Sequence, residues 1–179
     1  MQPFDEIEAS YKTPDPWGFR SNPADRDRKG RIVDACLAAA QNSGIQCFRR
    51  ALEIGAGEGF IAECLPALEV HGLEVSKTAR SRMPANVTPR DRISLEERFD
   101  LVVIPGVLYG HYHVEDFFEI VRRNASRIVV TCNIEAWEDK RMEDPEFLLL
   151  SLGLIERRKE TFSYREYIQR LRVLEKALK

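Results

Sequence analysis

Apolar residues along this chain fall into two rhythms. Four short, near-continuous runs read as buried strands: Arg50 to Gly55 (RALEIG), Glu69 to Val75 (EVHGLEV), Asp100 to Val107 (DLVVIPGV) and Arg127 to Asn133 (RIVVTCN). Runs of this kind suit a parallel sheet covered on both faces. Elsewhere the spacing is helical. Ile32, Ala35, Cys36, Ala39 and Ala40 mark one helix, which the NSG at Asn42 to Gly44 ends, with Gly44 as its cap. Gly59 to Leu65, Lys77 to Met83 and Val114 to Asn124 read as further helices between the strands. Strand alternating with helix predicts an α/β fold with right-handed crossovers.

The two ends fit this rhythm less well. Met1 to Asn22, with the turn-like TPDPWGFRSNP, reads as an irregular arm, and from Asp25 the chain becomes charged and helical. The expected organisation is an arm over residues 1–24 and one domain over residues 25–179. Near the end, Tyr164, Tyr167, Ile168, Leu171, Leu174 and Leu178 form a helical stripe, and Ser163 with Glu166 would make a capping box. The same segment, IERRKETFSYREYIQRLRVLEK, also reads as two charged, alternating strands at a sheet edge. Periodicity favours the helix and the α/β fold favours the strand pair.

Composition narrows the class. A length of 179 residues suits one domain, and 44% hydrophobic with 31% charged residues is ordinary for a globular protein. A formal net charge of -2 gives no general attraction to nucleic acid or anionic membrane, so neither is an expected partner. No run is apolar enough to span a bilayer, and MQPFDEIEAS is acidic, unlike a signal peptide, so the expected compartment is the cytoplasm. Cys36, Cys47, Cys64 and Cys132 show no metal-binding spacing; their apolar contexts predict four small buried hydrophobes and no metal site.

The densest chemical signal is LEIGAGEGF, Leu52 to Phe60. A strand ends at Ile54, glycines fall at Gly55, Gly57 and Gly59, and a helix is expected to follow. Such a helix would offer unpaired N–H groups to a carboxylate or a phosphate. Spacing separates the candidate ligands. A dinucleotide fingerprint needs a third glycine where Phe60 stands, and a phosphate-binding Walker loop needs a Lys followed by Ser or Thr, absent after Gly59. What remains is E-x-G-x-G-x-G, with Glu53 inside the strand. Glu74 closes the next strand, where an acid grips ribose hydroxyls in nucleoside-binding α/β folds.

With both elements in place, ALEIGAGEGFIAECLP, HGLEVSKTAR and FDLVVIPGVLYG resemble motifs I, II and IV of class I S-adenosylmethionine-dependent methyltransferases. The resemblance runs from about Arg49 to Asn133 and implies a Rossmann-like fold, a mostly parallel sheet flanked by helices. Tyr11 to Arg31, YKTPDPWGFRSNPADRDRKGR, is similar to the segment preceding the core in the nodulation (NodS-like) N-methyltransferase group. There the arm folds over the cofactor, which by position implies contacts from Trp17 and Arg28, with Arg26 and Lys29 competing for the latter role. The resemblance further implies that Glu53, Gly55, Ala56, Gly57 and Gly59 form the cradle for S-adenosylmethionine. It places Glu74 on the ribose, Val75 against adenine, Asp91 near the adenine amino group, and Ile104, Pro105 and Gly106 facing the transferred methyl.

The acceptor site of an open α/β sheet lies beyond the carboxyl ends of its strands, which points to Pro105 to Glu115 (PGVLYGHYHVE). His111 or His113 would serve as general base, and Tyr109 would hydrogen-bond the acceptor or shape its pocket. The alternative is that these residues begin the next helix and face solvent. His71, inside a strand, reads as a core or edge histidine. An Asn/Asp-Pro-Pro-Tyr loop and a Pro-Cys nucleophile are both absent, which argues against adenine or glutamine amino methylation and cytosine C5 methylation. The expected activity is methyl transfer to a small-molecule or sugar amine or hydroxyl, by a monomer or homodimer. No lid is inserted between Val107 and Asn133, so the arm, Trp137 to Asp144, or a second subunit would complete the pocket. Alternatives are a macromolecular acceptor, a non-catalytic cofactor-binding module, and a fold that binds decarboxylated S-adenosylmethionine.

Overall fold

The computed structural model describes residues 4–108, 114–135 and 152–177. Its frame is a sheet of seven strands in the order β3-β2-β1-β4-β5-β7-β6. These are β1 (Phe48–Ile54), β2 (Ala67–Leu73), β3 (Val87–Arg90), β4 (Phe99–Pro105), β5 (Ala125–Ile134), β6 (Leu154–Tyr164) and β7 (Tyr167–Lys176). β1 pairs in parallel with β2 and β4, β2 with β3, and β4 with β5, while β7 runs antiparallel to both β5 and β6. The ambiguous tail is therefore a strand pair. Its periodic apolar residues serve two faces of β7 rather than one face of a helix: Leu171 and Val173 join one core cluster and Leu174 the other.

The central strands are buried on both sides, as their unbroken apolar runs predict. Leu101 and Val103 of β4 pack with Ile32, Ala35, Cys36, Ala39 and Ala40 of helix α2 (Pro23–Asn42). Val102 and Ile104 point to the other face, with Val121 of helix α4 (Val114–Asn124). Helix α2 begins where Asn22 accepts from the Ala24 amide and Pro23 occupies the first turn. It ends at Gly44, whose φ of 70° allows Gly44 and Ile45 to donate back to Gln41 and Ala40.

Three expectations need correction. The arm is not irregular throughout, because Phe4–Ser10 forms helix α1, which buries Ile7 and, one turn on, Tyr11 against Ala79 of the short helix α3 (Lys77–Arg80). The helix expected from Gly59 to Leu65 is only a single 3-10 turn, Ala62–Cys64. Leu65 precedes Pro66 and is extended (ψ 135°), and β2 begins at Ala67, so the backbone leaves the helical region too soon. Finally, Cys36 and Cys132 are buried, but Cys47 is only partly so and Cys64 is exposed at the end of that turn.

Candidate functional site

A cleft of about 250 Å³ opens beyond the carboxyl ends of β1, β2 and β4, with the arm as its outer wall. Chain geometry at its floor is tight. Gly55 has a φ of 72°, and a Cβ there would lie 2.3 Å from Cγ1 of Val107; Gly57 has a φ of 54°, and a Cβ there would lie 2.8 Å from the Tyr11 hydroxyl. Only glycine fits both the dihedrals and the space. Gly59 faces away from the cleft, against Pro84 and Met83.

The donors of this turn are not held in reserve for an anion, as a helix N-terminus would hold them. Gly55 and Ala56 both donate to the Leu73 carbonyl, at 2.9 and 3.0 Å. Gly57 donates to Oε2 of Glu74 at 2.9 Å, while Oε1 accepts from the Ser76 amide at 2.8 Å. Glu74 thus ties the glycine turn to the end of β2. Each of its oxygens has taken one backbone donor and keeps capacity for another. Burial raises the pKa of Glu74, and the amides of Ser76 and Gly57 oppose that rise.

Glu53 lies on the same face of β1 as Ala51, towards α2, and is 2% exposed. Its Oε2 is buried with no hydrogen-bond partner. Burial pushes its pKa up to about 8, against a backbone hydrogen bond from Ala62 and the nearby charge of Arg28. Arg28 is itself buried, its Nε has no partner, and its guanidinium lies over the Tyr164 ring and against Gly106. An acid and a guanidinium, each with one buried atom unpartnered, therefore line one cleft.

The arm supplies the aromatic wall. Tyr11 meets Trp17 edge-on at 5.0 Å, Trp17 stacks on Phe19 at 5.7 Å, and Phe19 stacks on Phe60 at 6.5 Å. Asp15 folds the arm by accepting from the Phe19 and Arg20 amides, and its own amide donates to Oε2 of Glu58 at 3.1 Å. The other oxygen of Glu58 pairs with Arg82 at 2.8 Å. At the opposite rim Asn133 Oδ1 accepts from the amides of Gly106 and Leu108, which sets the course of the chain leaving β4.

Of the residues singled out in sequence, the cleft brings together Trp17, Arg28, Glu53, Gly55, Ala56, Gly57, Glu74, Pro105 and Gly106. Gly59, Val75, Asp91 and Ile104 are not part of its lining. Val75 is 47% exposed, Asp91 is exposed with its carboxylate 4.0 Å from Arg80, and Ile104 is buried in the α4-side core. Tyr109, His111 and His113, and the segment Trp137 to Asp144, lie outside the described residues. His71 is buried in β2 against Phe99, and burial with the neighbouring Arg50 lowers its pKa. Sequence reasoning missed Tyr11, Asp15, Glu58 and Asn133. The spacing of Ile7 and Tyr11 held a signal for the first, and the Asp15 carboxylate is answered locally by Phe19 and Arg20; Glu58 and Asn133 have partners distant in sequence.

No protein-family model matches the sequence, and no curated protein matches it. Solved structures do. The N-methyltransferase NodS from Bradyrhizobium japonicum, in complex with S-adenosylhomocysteine, superposes with a TM-score of 0.74 at 18% identity, over 97% of each chain. Magnesium protoporphyrin IX methyltransferase from Synechocystis, with bound S-adenosylmethionine, gives 0.70 at 16% identity, over 99% of this chain and 98% of that one. A putative RNA methyltransferase from Pyrococcus horikoshii gives 0.67 at 17% identity, over 99% and 98%. The chain has the Rossmann-like class I methyltransferase fold.

Proposed function

We propose that this protein is an S-adenosylmethionine-dependent methyltransferase that modifies an amine or hydroxyl of a small molecule or sugar. The observation that carries this reading is the pairing, in one cleft, of two kinds of unmet demand. Glu74 keeps acceptor capacity beside a floor from which side chains are excluded, which fits the vicinal hydroxyls of a ribose. Glu53 and Arg28 present a buried acid and a buried guanidinium atom without partners, which fits the ammonium and carboxylate of an amino-acid zwitterion. A nucleoside joined to an amino acid satisfies both. The solved structures with S-adenosylhomocysteine or S-adenosylmethionine on the same fold support the choice.

The cofactor supplies, when bound, an electrophilic methyl group that reacts by in-line displacement. The protein's part is then mainly positional. Glu74 would orient the ribose, Glu53 and Arg28 the amino-acid end, and Tyr11 and Trp17 would exclude water from the outer side. Pro105 and Gly106 form the rim facing the acceptor, and Tyr109, His111 and His113 are the candidates to position it and take its proton. For the acceptor class, the net charge of -2 and the N-methyltransferase and porphyrin methyltransferase among similar structures favour a small molecule.

The test is transfer of a labelled methyl group from S-adenosylmethionine to panels of amines, amino sugars and phenols, with RNA and protein panels alongside. Labelling of a small molecule is the expected result. Labelling confined to RNA or protein would overturn the acceptor assignment, and no labelling of any panel would favour a binding module.

A further inference from the structure

The hairpin joining β6 and β7 turns in two residues, Arg165 and Glu166, and Arg165 holds a φ of 50°. Glycine is the residue that adopts such a dihedral without strain, so an arginine at this point of a tight hairpin calls for a reason. Its side chain supplies one. Nη2 donates to the Trp17 carbonyl at 3.1 Å and to Oδ2 of Asp25 at 2.7 Å. The other oxygen of Asp25 accepts from the Tyr164 hydroxyl at 2.6 Å, and Asp25 is 1% exposed in the first turn of α2. One guanidinium therefore joins the late hairpin, the first turn of α2 and the arm.

The place where it grips the arm matters. Trp17 is in the cleft lining and at the centre of the aromatic row, yet its side chain is 45% exposed and packing alone holds it loosely. The next residue, Gly18, has a φ of 68°, so the chain direction changes just after the gripped carbonyl. On its other side the arm is held by the Asp15 amide on Glu58, and further back by Glu8, which accepts from the Thr78 amide and hydroxyl. Without Arg165 the stretch after Asp15 would lose its tie to the hairpin.

We propose that Arg165 is a positioning residue: by holding the Trp17 carbonyl and Asp25 together, it keeps the Trp17 ring over the cleft and slows the departure of the bound ligand. The ligand assignment rests on the reading above, whereas the arm contact does not. Both bonds leave Nη2, whose two N–H donors are fixed in the guanidinium plane, whereas the donors of an ammonium rotate about its stem.

The test uses the full chain with Trp137→Phe, which leaves Trp17 as the sole tryptophan. Arg165→Gly removes the side chain and relaxes the turn; because it also leaves the buried Asp25 carboxylate without its cation, Asp25→Asn, which breaks the same ion pair and keeps Arg165 on the Trp17 carbonyl, is the stability control for this variant. Acrylamide should quench Trp17 more steeply in this variant than in its parent, with or without ligand. S-adenosylhomocysteine should leave about three- to tenfold faster, the scale of one ordinary hydrogen bond, with little change in association rate. Arg165→Lys should lie between the two. Parental quenching and dissociation in Arg165→Gly would overturn the proposal, as would the same changes in Asp25→Asn, which keeps the contact between Arg165 and the Trp17 carbonyl. A parent that binds no S-adenosylhomocysteine would instead defeat the ligand assignment, and quenching of the ligand-free protein would still decide the arm contact.

Discussion

Glu53 carries the largest electrostatic tension in the cleft. It is an acid at the end of a central strand, buried, with one oxygen unpartnered and a pKa raised from 4.5 to about 8, mainly by burial. A raised pKa means that the folded protein binds more protons than the unfolded chain between those two values. Stability from this group is therefore fully present below about pH 4.5 and is lost progressively as pH rises towards 8. Glu74 shifts in the same direction for the same first cause. The expected result is an unfolding free energy for wild type that declines across this range, and a flatter profile for Glu53→Gln, measured by urea denaturation at several pH values. Equal slopes would show that the Glu53 carboxyl is solvated or paired. The residue pattern E-x-G-x-G-x-G made Glu53 visible in sequence, and the end of the next strand made Glu74 visible. Neither could show that Glu74 spends a lone pair on each of two backbone amides, because that depends on how β1 and β2 meet.

At the scale of elements, a strand–glycine turn–strand unit stands where the sequence reads as a strand–turn–helix. The amides of the turn bind Leu73 and Glu74 of the neighbouring strand, so the turn is rigid before any ligand arrives. Gly55→Ala should therefore cost about 2–4 kcal/mol of stability, since it combines a left-handed φ with a Cβ that overlaps Val107. Chemical denaturation measures this, and a cost below about 0.5 kcal/mol, the usual effect of a surface substitution, would contradict the geometry. The same scale explains what sequence patterns resolve and what they do not. β1, β2, β4 and β5 are legible because burial on both faces demands continuous apolar runs. β6 is an edge strand with mostly exposed, charged residues, a composition that blunts edge-to-edge pairing and carries little strand signal of its own. Its identity depends on β7, and β7's on β5, contacts that no local period encodes. The early end of the helical turn after Gly59 is legible in Pro66, whose restriction on Leu65 opposes the apolar spacing.

Across the whole molecule, segments far apart in sequence close around one cleft. The arm contributes Tyr11 and Trp17, α2 contributes Arg28, and the central strands contribute Glu53, Glu74 and Gly106. The hairpin between β6 and β7 fastens the arm through Arg165. The class I fold and the glycine cradle could be anticipated from motif order. The arm's helix and its attachment points could not, because each joins residues whose partners lie in other elements. In the proposed complex this cleft receives an adenosyl amino acid with Glu74 on its ribose. Calorimetric titration with S-adenosylhomocysteine tests it most directly, using wild type and a Glu74→Gln variant whose fold is checked by circular dichroism. Binding of one ligand per chain, weakened in the variant by about 1.5–3 kcal/mol as charge-assisted hydrogen bonds are lost, is the expected result. A wild type that releases no binding heat at any ligand concentration, or a variant that binds as tightly as wild type, would contradict it.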